Sequence, residues 1–379
     1  MLRIIFDENI AYAKEAFGQF GEVTLLPGNR IYNSELKTAD ILIVRSVTCV
    51  NEALLRNTPI RFVGTTTIGT DHIDFDYLKE NNIAFADAKG CNAYSVAEYV
   101  IAALLHLAVK FNFDLKDKSI GIIGVGNIGS KVAAFVRALG MKVLLNDPPL
   151  QRSGDKRKFV ELDKILESDI ITLHVPLNKE GIDKTVHLFD EEKLSKINEG
   201  SVLINTSRGA VVDNSALLKL LNKRNVFAVL DVWENEPKIN INLLAKVILG
   251  TSHIAGYSRE GKINGTLMIY NSLCDYLGEK KIFKSDKEND TVYKIDLKNI
   301  FSMERSLEEL IKKIYDVKKD SELFKKIIPM PQSQHKTYFS DLRKNYPIRR
   351  EFNNYILKLD NDDKTIREIL ERLRFNVIS

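Results

Sequence analysis

Apolar positions along the chain gather into short runs. Three of them, 2–6 (LRIIF), 41–45 (ILIVR) and 60–64 (IRFVG), are β-rich and separated by helical or turn-like stretches. That spacing predicts a layered βα unit with parallel strands. After Gly90 the pattern changes. Ser95-Val96-Ala97-Glu98 reads as a capping box, Ser95 at the N-cap and Glu98 at the third helical position, opening an apolar helix to about Phe111. The apolar part of it, 99–111, falls short of the roughly 20 residues that span a bilayer, so no membrane partner is expected.

A second βα series follows: 119–124 (SIGIIG), 142–146 (KVLLN), 170–174 (IITLH), 201–205 (SVLIN), 226–230 (VFAVL) and 247–250 (VILG). Near-continuous apolar strands with helical crossovers predict a doubly wound parallel sheet covered on both faces. Helical character returns at 257–277. Beyond Gly278 a lysine-rich stretch, 279–290, reads as a linker. It is followed by strand-like 291–297, helix-like 306–317, a break at Pro329-Met330-Pro331, strand-like 354–359 and a last helix at about 363–373, together a small α+β unit.

Composition narrows the class. At 379 residues the chain exceeds one ordinary core, and 44% hydrophobic with 28% charged residues describes a globular protein. Cys49, Cys91 and Cys274 lack disulfide-framework or metal-ligand spacing, so reduced thiols, no metal and a cytoplasmic setting are expected. The opening MLRIIFDEN enters a strand directly and has no signal-peptide pattern. Residues 281–379 hold 22 Lys and Arg against 17 Asp and Glu. That balance and the absence of interleaved aromatic-basic runs argue against nucleic acid and for a small anion nearby.

The clearest chemical signal is Gly124-Val125-Gly126-Asn127-Ile128-Gly129, a G-x-G-x-x-G directly after a strand and directly opening a helix. Gly124 permits the turn, Gly126 lets a pyrophosphate approach the backbone, and Gly129 lets helix and strand pack closely. Asp147 ends the next strand, 18 positions after Gly129, where a carboxylate bonds the adenosine ribose and repels a 2′-phosphate. With no arginine immediately beside it, NAD is expected over NADP. As an alternative, Asp147 is a turn former ahead of Pro148-Pro149.

Doubly wound sheets bind ligands outside the carboxyl ends of their strands. Thr206-Ser207-Arg208 closes one strand, Asp231 the next, and His253 follows the last, with Glu236 in the intervening WENEP segment. His253 has the chemistry to accept a hydroxyl proton, Glu236 to orient it, and Arg208 to clamp a carboxylate. Each also has an ordinary explanation: a turn-capping histidine, a solvated turn acid, a surface ion pair, and for Asp231 a helix cap.

GIIGVGNIG, NTSRGAVVDNSALL, VLDVWENEP and GTSHIAGYSREG resemble, in order and spacing, the signatures of the D-isomer-specific 2-hydroxyacid dehydrogenases. VRSVTCVNEALL, FVGTTTIGTDHID, GCNAYSVAEYV and LRKNYPIRREF are similar to the branch that oxidises erythronate 4-phosphate in pyridoxal phosphate biosynthesis. The resemblance implies an α/β architecture: a Rossmann-type NAD-binding domain (94–255) inserted into a flavodoxin-like substrate domain (1–93 and 256–280), plus a C-terminal dimerisation domain (281–379) that makes a homodimer. It implies Arg208, Glu236 and His253 as the catalytic set. Asp147, Val175, the Thr206-Ser207-Arg208 segment, Asp231 and Gly256 join the glycine loop in binding NAD, and Ser46, Thr67 and Tyr257 bind the substrate. Val175 departs from the threonine usual at its position, so only a backbone contact survives there. The tail cluster Arg343, Lys344, Arg349 and Arg350 is expected to supply an arginine to the substrate phosphate, across a two-fold pair. Two other readings are a different D-2-hydroxyacid dehydrogenase, such as phosphoglycerate dehydrogenase, and a non-catalytic NAD-sensing protein.

Overall fold

A computed structural model describes residues 1–284, 291–295, 303–359 and 364–378. The chain forms two compact units, Met1–Asn92 with Ser258–Asn289, and Ala93–Tyr257 with Asp290–Ser379.

In the first unit, β1 (Leu2–Asp7), β2 (Gly21–Leu26), β3 (Ile41–Val44), β4 (Phe62–Thr65) and β5 (Ala84–Asp87) make one parallel sheet in the order β2-β1-β3-β4-β5. β1, β3 and β4 are the three apolar runs. β2 and β5 were not anticipated, because both are only partly buried and β5 is the alanine-rich AFAD. The helix Arg259–Leu277 brings the chain back to this unit and lays Ile269, Tyr270 and Leu273 against Phe6 and Phe17.

The second unit holds β6 (Ser119–Ile123), β7 (Lys142–Asn146), β8 (Ile170–Leu173), β9 (Val202–Asn205), β10 (Phe227–Leu230) and β11 (Leu249–Gly250). All pair in parallel, in the order β11-β10-β9-β8-β6-β7. β8 and β9 are buried along their whole length, as a sheet covered on both faces requires. This is an α/β Rossmann-type fold.

Residues from Asp290 onward, expected as a separate third domain, belong to the second compact unit. β12 (Thr291–Ile295), β13 (Tyr355–Leu359) and β14 (Asn376–Ile378) form a small parallel sheet. Residues 285–290, 296–297 and 363 of the expected linker, strand and helix lie outside the described residues. The helix Met303–Ile314 packs Leu307, Leu310 and Ile311 into the same core as Val100, Leu104 and Leu107 of the helix Ala93–Phe111.

That long helix corrects two expectations. By length and composition it is apolar enough to cross a membrane, yet 72% of the stretch is buried inside the fold, the burial of a core helix. It also begins at Ala93, ahead of the expected capping box. Ser95 and Glu98 lie inside the helix, 0% and 1% exposed, and serve the tail instead. Ser95 Oγ donates to Glu351 Oε1 at 2.9 Å, and Glu98 Oε1 accepts from the Phe352 N–H at 2.9 Å.

Candidate active site

The sheet order places the switch point of the second unit between β6 and β8, with β7 on the other side of β6. The glycine loop leaves β6 there. Gly124 has φ 82°, and a Cβ on it would meet the His174 carbonyl oxygen at 2.6 Å and Val175 Cγ1 at 2.9 Å. A Cβ on Gly129 would stand 2.0 Å from the Gly124 oxygen, so helix Asn127–Ala138 seats against the strand only without a side chain. Gly126 is different: among the described residues nothing lies within 4 Å of its would-be Cβ. Gly126 and Asn127 are exposed and Ile128 is half-buried at the start of the helix. An open backbone at the N-terminus of a twelve-residue helix fits a pyrophosphate.

Asp147 holds this loop together. Its Oδ2 accepts from the Val125 N–H at 2.7 Å, and Oδ1 caps the short helix Pro148–Arg152 through the Leu150 N–H at 3.0 Å. The turn-former alternative is thus realised, and the remaining lone pairs of the carboxylate are still able to receive ribose hydroxyls. An arginine does come to the loop from farther along the chain. Arg157 Nη1 donates to the Val125 carbonyl at 2.9 Å. Asp155 grips the same guanidinium through Nε and Nη2 at 2.9 and 2.7 Å, and that grip takes the Asp155 carboxyl down to about 2. The arginine therefore reaches the loop already matched by a carboxylate. Asp147→Ala is expected to weaken NADH binding and narrow its advantage over NADPH. It also removes a cap worth about 1 kcal/mol. Titrating both cofactors by fluorescence checks this, and an unchanged preference would leave Asp147 only its structural bonds.

The other predicted groups sit at the ends of β9, β10 and β11. Asn205, fully buried, folds the segment after β9: its Oδ1 accepts from Ser207 N and Oγ, and its Nδ2 donates to the Arg208 carbonyl. Thr206 Oγ1 lies 3.3 Å from His174 Nδ1, a ring that burial pushes down to about 3 and so keeps neutral. Arg208 is half-buried, with Nη1 donating to the Ser207 carbonyl at 2.8 Å. A Cβ on Gly209 would stand 1.9 Å from the Trp233 carbonyl carbon, so the loops after β9 and β10 touch here.

Asp231 caps no helix. It is 1% exposed, its Oδ1 accepts from Thr251 Oγ1 and the Ile254 N–H, and its Oδ2 accepts from the Ala255 N–H. The carboxylate thereby braces the turn that carries His253. His253 itself has φ 61°, in the left-handed region, and its N–H donates to the Asp231 carbonyl at 2.7 Å. Its Nδ1 lies 2.8 Å from Glu236 Oε2, while Glu236 Oε1 accepts from the Trp233 N–H at 2.7 Å. Burial pushes the Glu236 carboxyl up, but His253, the Trp233 N–H and Arg343 together hold it below the ordinary value. Glu236 is thus ionised at neutral pH, and His253 has its Nδ1 side fixed by a carboxylate. Glu236→Gln keeps the shape without the charge. Turnover should then fall while NADH affinity stays near that of the parent, because the ring facing it has lost its carboxylate partner. Unchanged turnover would leave Glu236 outside the reaction.

Tyr257 and Gly256 follow in the same turn. The Tyr257 ring packs edge-on against Tyr346 at 5.8 Å, and the Arg343 guanidinium sits 5.7 Å from its centroid. Arg343 also feels Glu236, and among the described residues its buried Nε has no hydrogen-bond partner. Arg343 of this chain thus stands beside Tyr257 and Glu236. Arg349 is instead a core residue, 5% exposed, with Nη2 donating to the Ser95 and Ala255 carbonyls. Arg350 bonds Asn354. In the first unit, Ser46 is exposed in the turn after β3, and Thr67, half-buried after β4, bonds Thr65 Oγ1 and the Gly69 carbonyl. Asn205, His174 and Thr251 were not singled out from sequence. All three stand within strand-end segments already recognised, Asn205 in NTSRG, Thr251 in GTSHIAG and His174 at the end of IITLH.

Over its whole length the chain is 44% identical to the erythronate-4-phosphate dehydrogenase of Escherichia coli (strain K12), covering 99% of that protein. The chain belongs to the erythronate-4-phosphate dehydrogenase family. A relative of the same name from Shigella boydii serotype 4 (strain Sb227) is 43% identical with the same coverage. The family model for the NAD-binding domain of D-isomer-specific 2-hydroxyacid dehydrogenases matches residues 106–255, and a domain of unknown function (DUF3410) matches 288–373. Among solved structures, the D-lactate dehydrogenase of Aquifex aeolicus with NAD and lactic acid is 27% identical at TM-score 0.59, covering 73% of this chain and 96% of its own. The NAD-bound 3-phosphoglycerate dehydrogenase of Entamoeba histolytica shares the fold at TM-score 0.63 and 23% identity, covering 76% of this chain and 99% of its own. NAD is the cofactor of this family, and the open glycine loop and strand-end carboxylate fit it.

Proposed function

We propose that the chain oxidises 4-phospho-D-erythronate to (R)-3-hydroxy-2-oxo-4-phosphooxybutanoate, with NAD as oxidant, on the route to pyridoxal 5′-phosphate. The observation that carries the substrate is the full-length likeness, tail included, to the Escherichia coli enzyme. Likeness to the lactate and phosphoglycerate enzymes stops at about three quarters of the chain.

Bound NAD supplies the acceptor for the hydride from carbon 2. The residues do the rest. His253, held through Nδ1 by Glu236, takes the hydroxyl proton on its Nε2; the O–H bonding electrons become the second carbon–oxygen bond as the hydride departs carbon 2 with the C–H bonding electrons. Glu236 stabilises the positive ring that results. Arg208 clamps the carboxylate and polarises the new carbonyl through its planar fork. Asp231 acts at one remove, by fixing the turn that aims His253. Ser46, Thr67 and Tyr257 complete the substrate set, on a flavodoxin-like substrate domain and on the turn after His253. The tail segment of the second unit serves dimerisation in a cytoplasmic homodimer.

NADH formation with erythronate 4-phosphate, 3-phosphoglycerate and unphosphorylated erythronate tests the reading. The highest kcat/KM is expected for the first. Equal or better rates with 3-phosphoglycerate would reassign the substrate, and cofactor binding without turnover of any 2-hydroxy acid would favour a sensing protein. Sedimentation of the intact chain tests the dimer, with a monomer at micromolar concentration as the contrary result.

A further inference from the structure

His253 needs support from outside its own turn. Its φ of 61° lies in the left-handed region, which a residue with a side chain keeps only where its surroundings over-determine it. Asp231 supplies the near bonds: its carbonyl to the His253 N–H at 2.7 Å, and its carboxylate to the Ile254 and Ala255 N–H groups at 2.8 and 2.9 Å. What holds the carboxylate itself lies one residue past β11.

Thr251 is 0% exposed and is bonded from three sides. Its N–H donates to the Leu230 carbonyl at 2.9 Å, and its hydroxyl donates to Asp231 Oδ1 at 2.6 Å. Its carbonyl accepts from the Trp233 indole, Nε1, at 2.8 Å. The backbone N–H of the same Trp233 holds Glu236 Oε1 at 2.7 Å. One threonine is thus tied to both members of the His253–Glu236 pair, by its hydroxyl on one side and its carbonyl on the other.

The direction of its hydroxyl bond is fixed. A carboxylate only accepts, so Thr251 gives its one hydroxyl hydrogen to Asp231. The Tyr99 hydroxyl stands 2.8 Å from the same threonine oxygen, and with that hydrogen committed the tyrosine is the donor. Tyr99 is 0% exposed on the helix Ala93–Phe111, among apolar residues where a phenylalanine ring would pack alike. Its oxygen matters for the chain it starts, in which each donor strengthens the next.

We propose that Thr251 is a positioning residue for His253 and Glu236, and that the Tyr99 hydroxyl fixes its rotamer from the core helix. Neither residue touches the reacting atoms. The inference rests on the functional reading above for the reaction that is aimed, and on the bonds alone for the turn that is held.

The test uses the full chain with Thr251→Val, Thr251→Ser, Tyr99→Phe and the double variant Tyr99→Phe/Thr251→Val. Valine keeps the branched shape without the hydroxyl, and serine keeps the hydroxyl without the methyl. Thr251→Val is expected to lower kcat for erythronate 4-phosphate by about 10- to 100-fold, the cost of a misaimed group, with NADH affinity near that of the parent. Thr251→Ser should recover most of the loss. Tyr99→Phe alone should cost less, and should cost nothing further in the Thr251→Val background, because it acts through the missing hydroxyl. Melting temperature separates aim from stability. The double variant no longer buries a tyrosine hydroxyl without an acceptor, so it should melt no lower than Thr251→Val while its turnover stays as low. Parental turnover in Thr251→Val, a serine variant as slow as the valine one, or turnover that follows melting temperature through the set would each overturn the proposal. A second readout needs no substrate. Hydrogen exchange at the Ile254 and Ala255 amides, followed by mass spectrometry, should quicken in Thr251→Val and not in Thr251→Ser, and equal protection in both also overturns it. A parent that oxidises no 2-hydroxy acid defeats the functional reading, while the exchange rates still decide whether Thr251 holds the turn.

Discussion

His253→Asn lowers the turnover of erythronate 4-phosphate by about 10²–10⁴-fold, the usual worth of a positioned acid–base group, and leaves NADH affinity near that of the parent. Asparagine is the informative replacement because the backbone there has φ 61°, a conformation that asparagine tolerates better than most residues. Its amide is also able to donate to Glu236 in place of the ring Nδ1, so the turn and its carboxylate partner stay in place. What it lacks is a nitrogen that accepts a proton near neutrality. Steady-state rates across neutral pH, set beside cofactor titration, separate the two properties. Near-normal turnover would remove the histidine from the reaction.

Arg349→Met destabilises the protein by about 3–5 kcal/mol, the range for breaking a buried charge network by removing one partner. The guanidinium is surrounded: its centre is 4.2 Å from the Tyr315 ring centroid, and Nη2 bonds the Ser95 and Ala255 carbonyls at 2.6 and 3.0 Å. Burial works against its charge, yet Tyr315, Tyr346, Glu98 and Asp320 together raise its basicity above the ordinary value. Burial already pushes the Glu98 carboxyl well up, with Glu351 adding to it. Methionine fills much of the space but leaves Glu98 and Asp320 without their cation. Denaturant unfolding measures the loss. A change under about 1 kcal/mol would place the residue in the class of surface substitutions. Ala255 stands two residues after His253, so turnover should fall before the fold does as denaturant is added.

The candidate site segments were legible because strand, turn and polar residue follow one another without interruption. GVGNIG needed only its neighbouring strand and helix, and the glycine geometry at 124, 126 and 129 matches the three jobs read from the motif. Strands β6 to β10 were visible as apolar runs. The failures are of another kind. β2 and β5 lack a hydrophobic signature because they are only partly buried. Ser95-Val96-Ala97-Glu98 satisfies a local rule, but its side chains answer to Glu351 and Phe352, and local pattern carries no information about partners so distant. Arg349 and Arg350 were read as candidates for the substrate phosphate, yet one is a core residue and the other bonds Asn354. Net charge counts residues without saying which way they point. Arg157 at the glycine loop was missed for the same reason, being brought there by a turn rather than by proximity in sequence.

The bond between Ser95 and Glu351 joins residues 256 positions apart. A growing polypeptide emerges N-terminus first at about 5–20 residues per second, so the helix from Ala93 is made many seconds before the segment that satisfies Ser95, Glu98 and its apolar face. Until then Leu104, Leu107 and their neighbours lack the cover that Leu307, Leu310 and Ile311 provide. The nucleotide-binding sheet therefore completes its core only after the tail has left the ribosome, and chaperone demand during synthesis should fall on this helix.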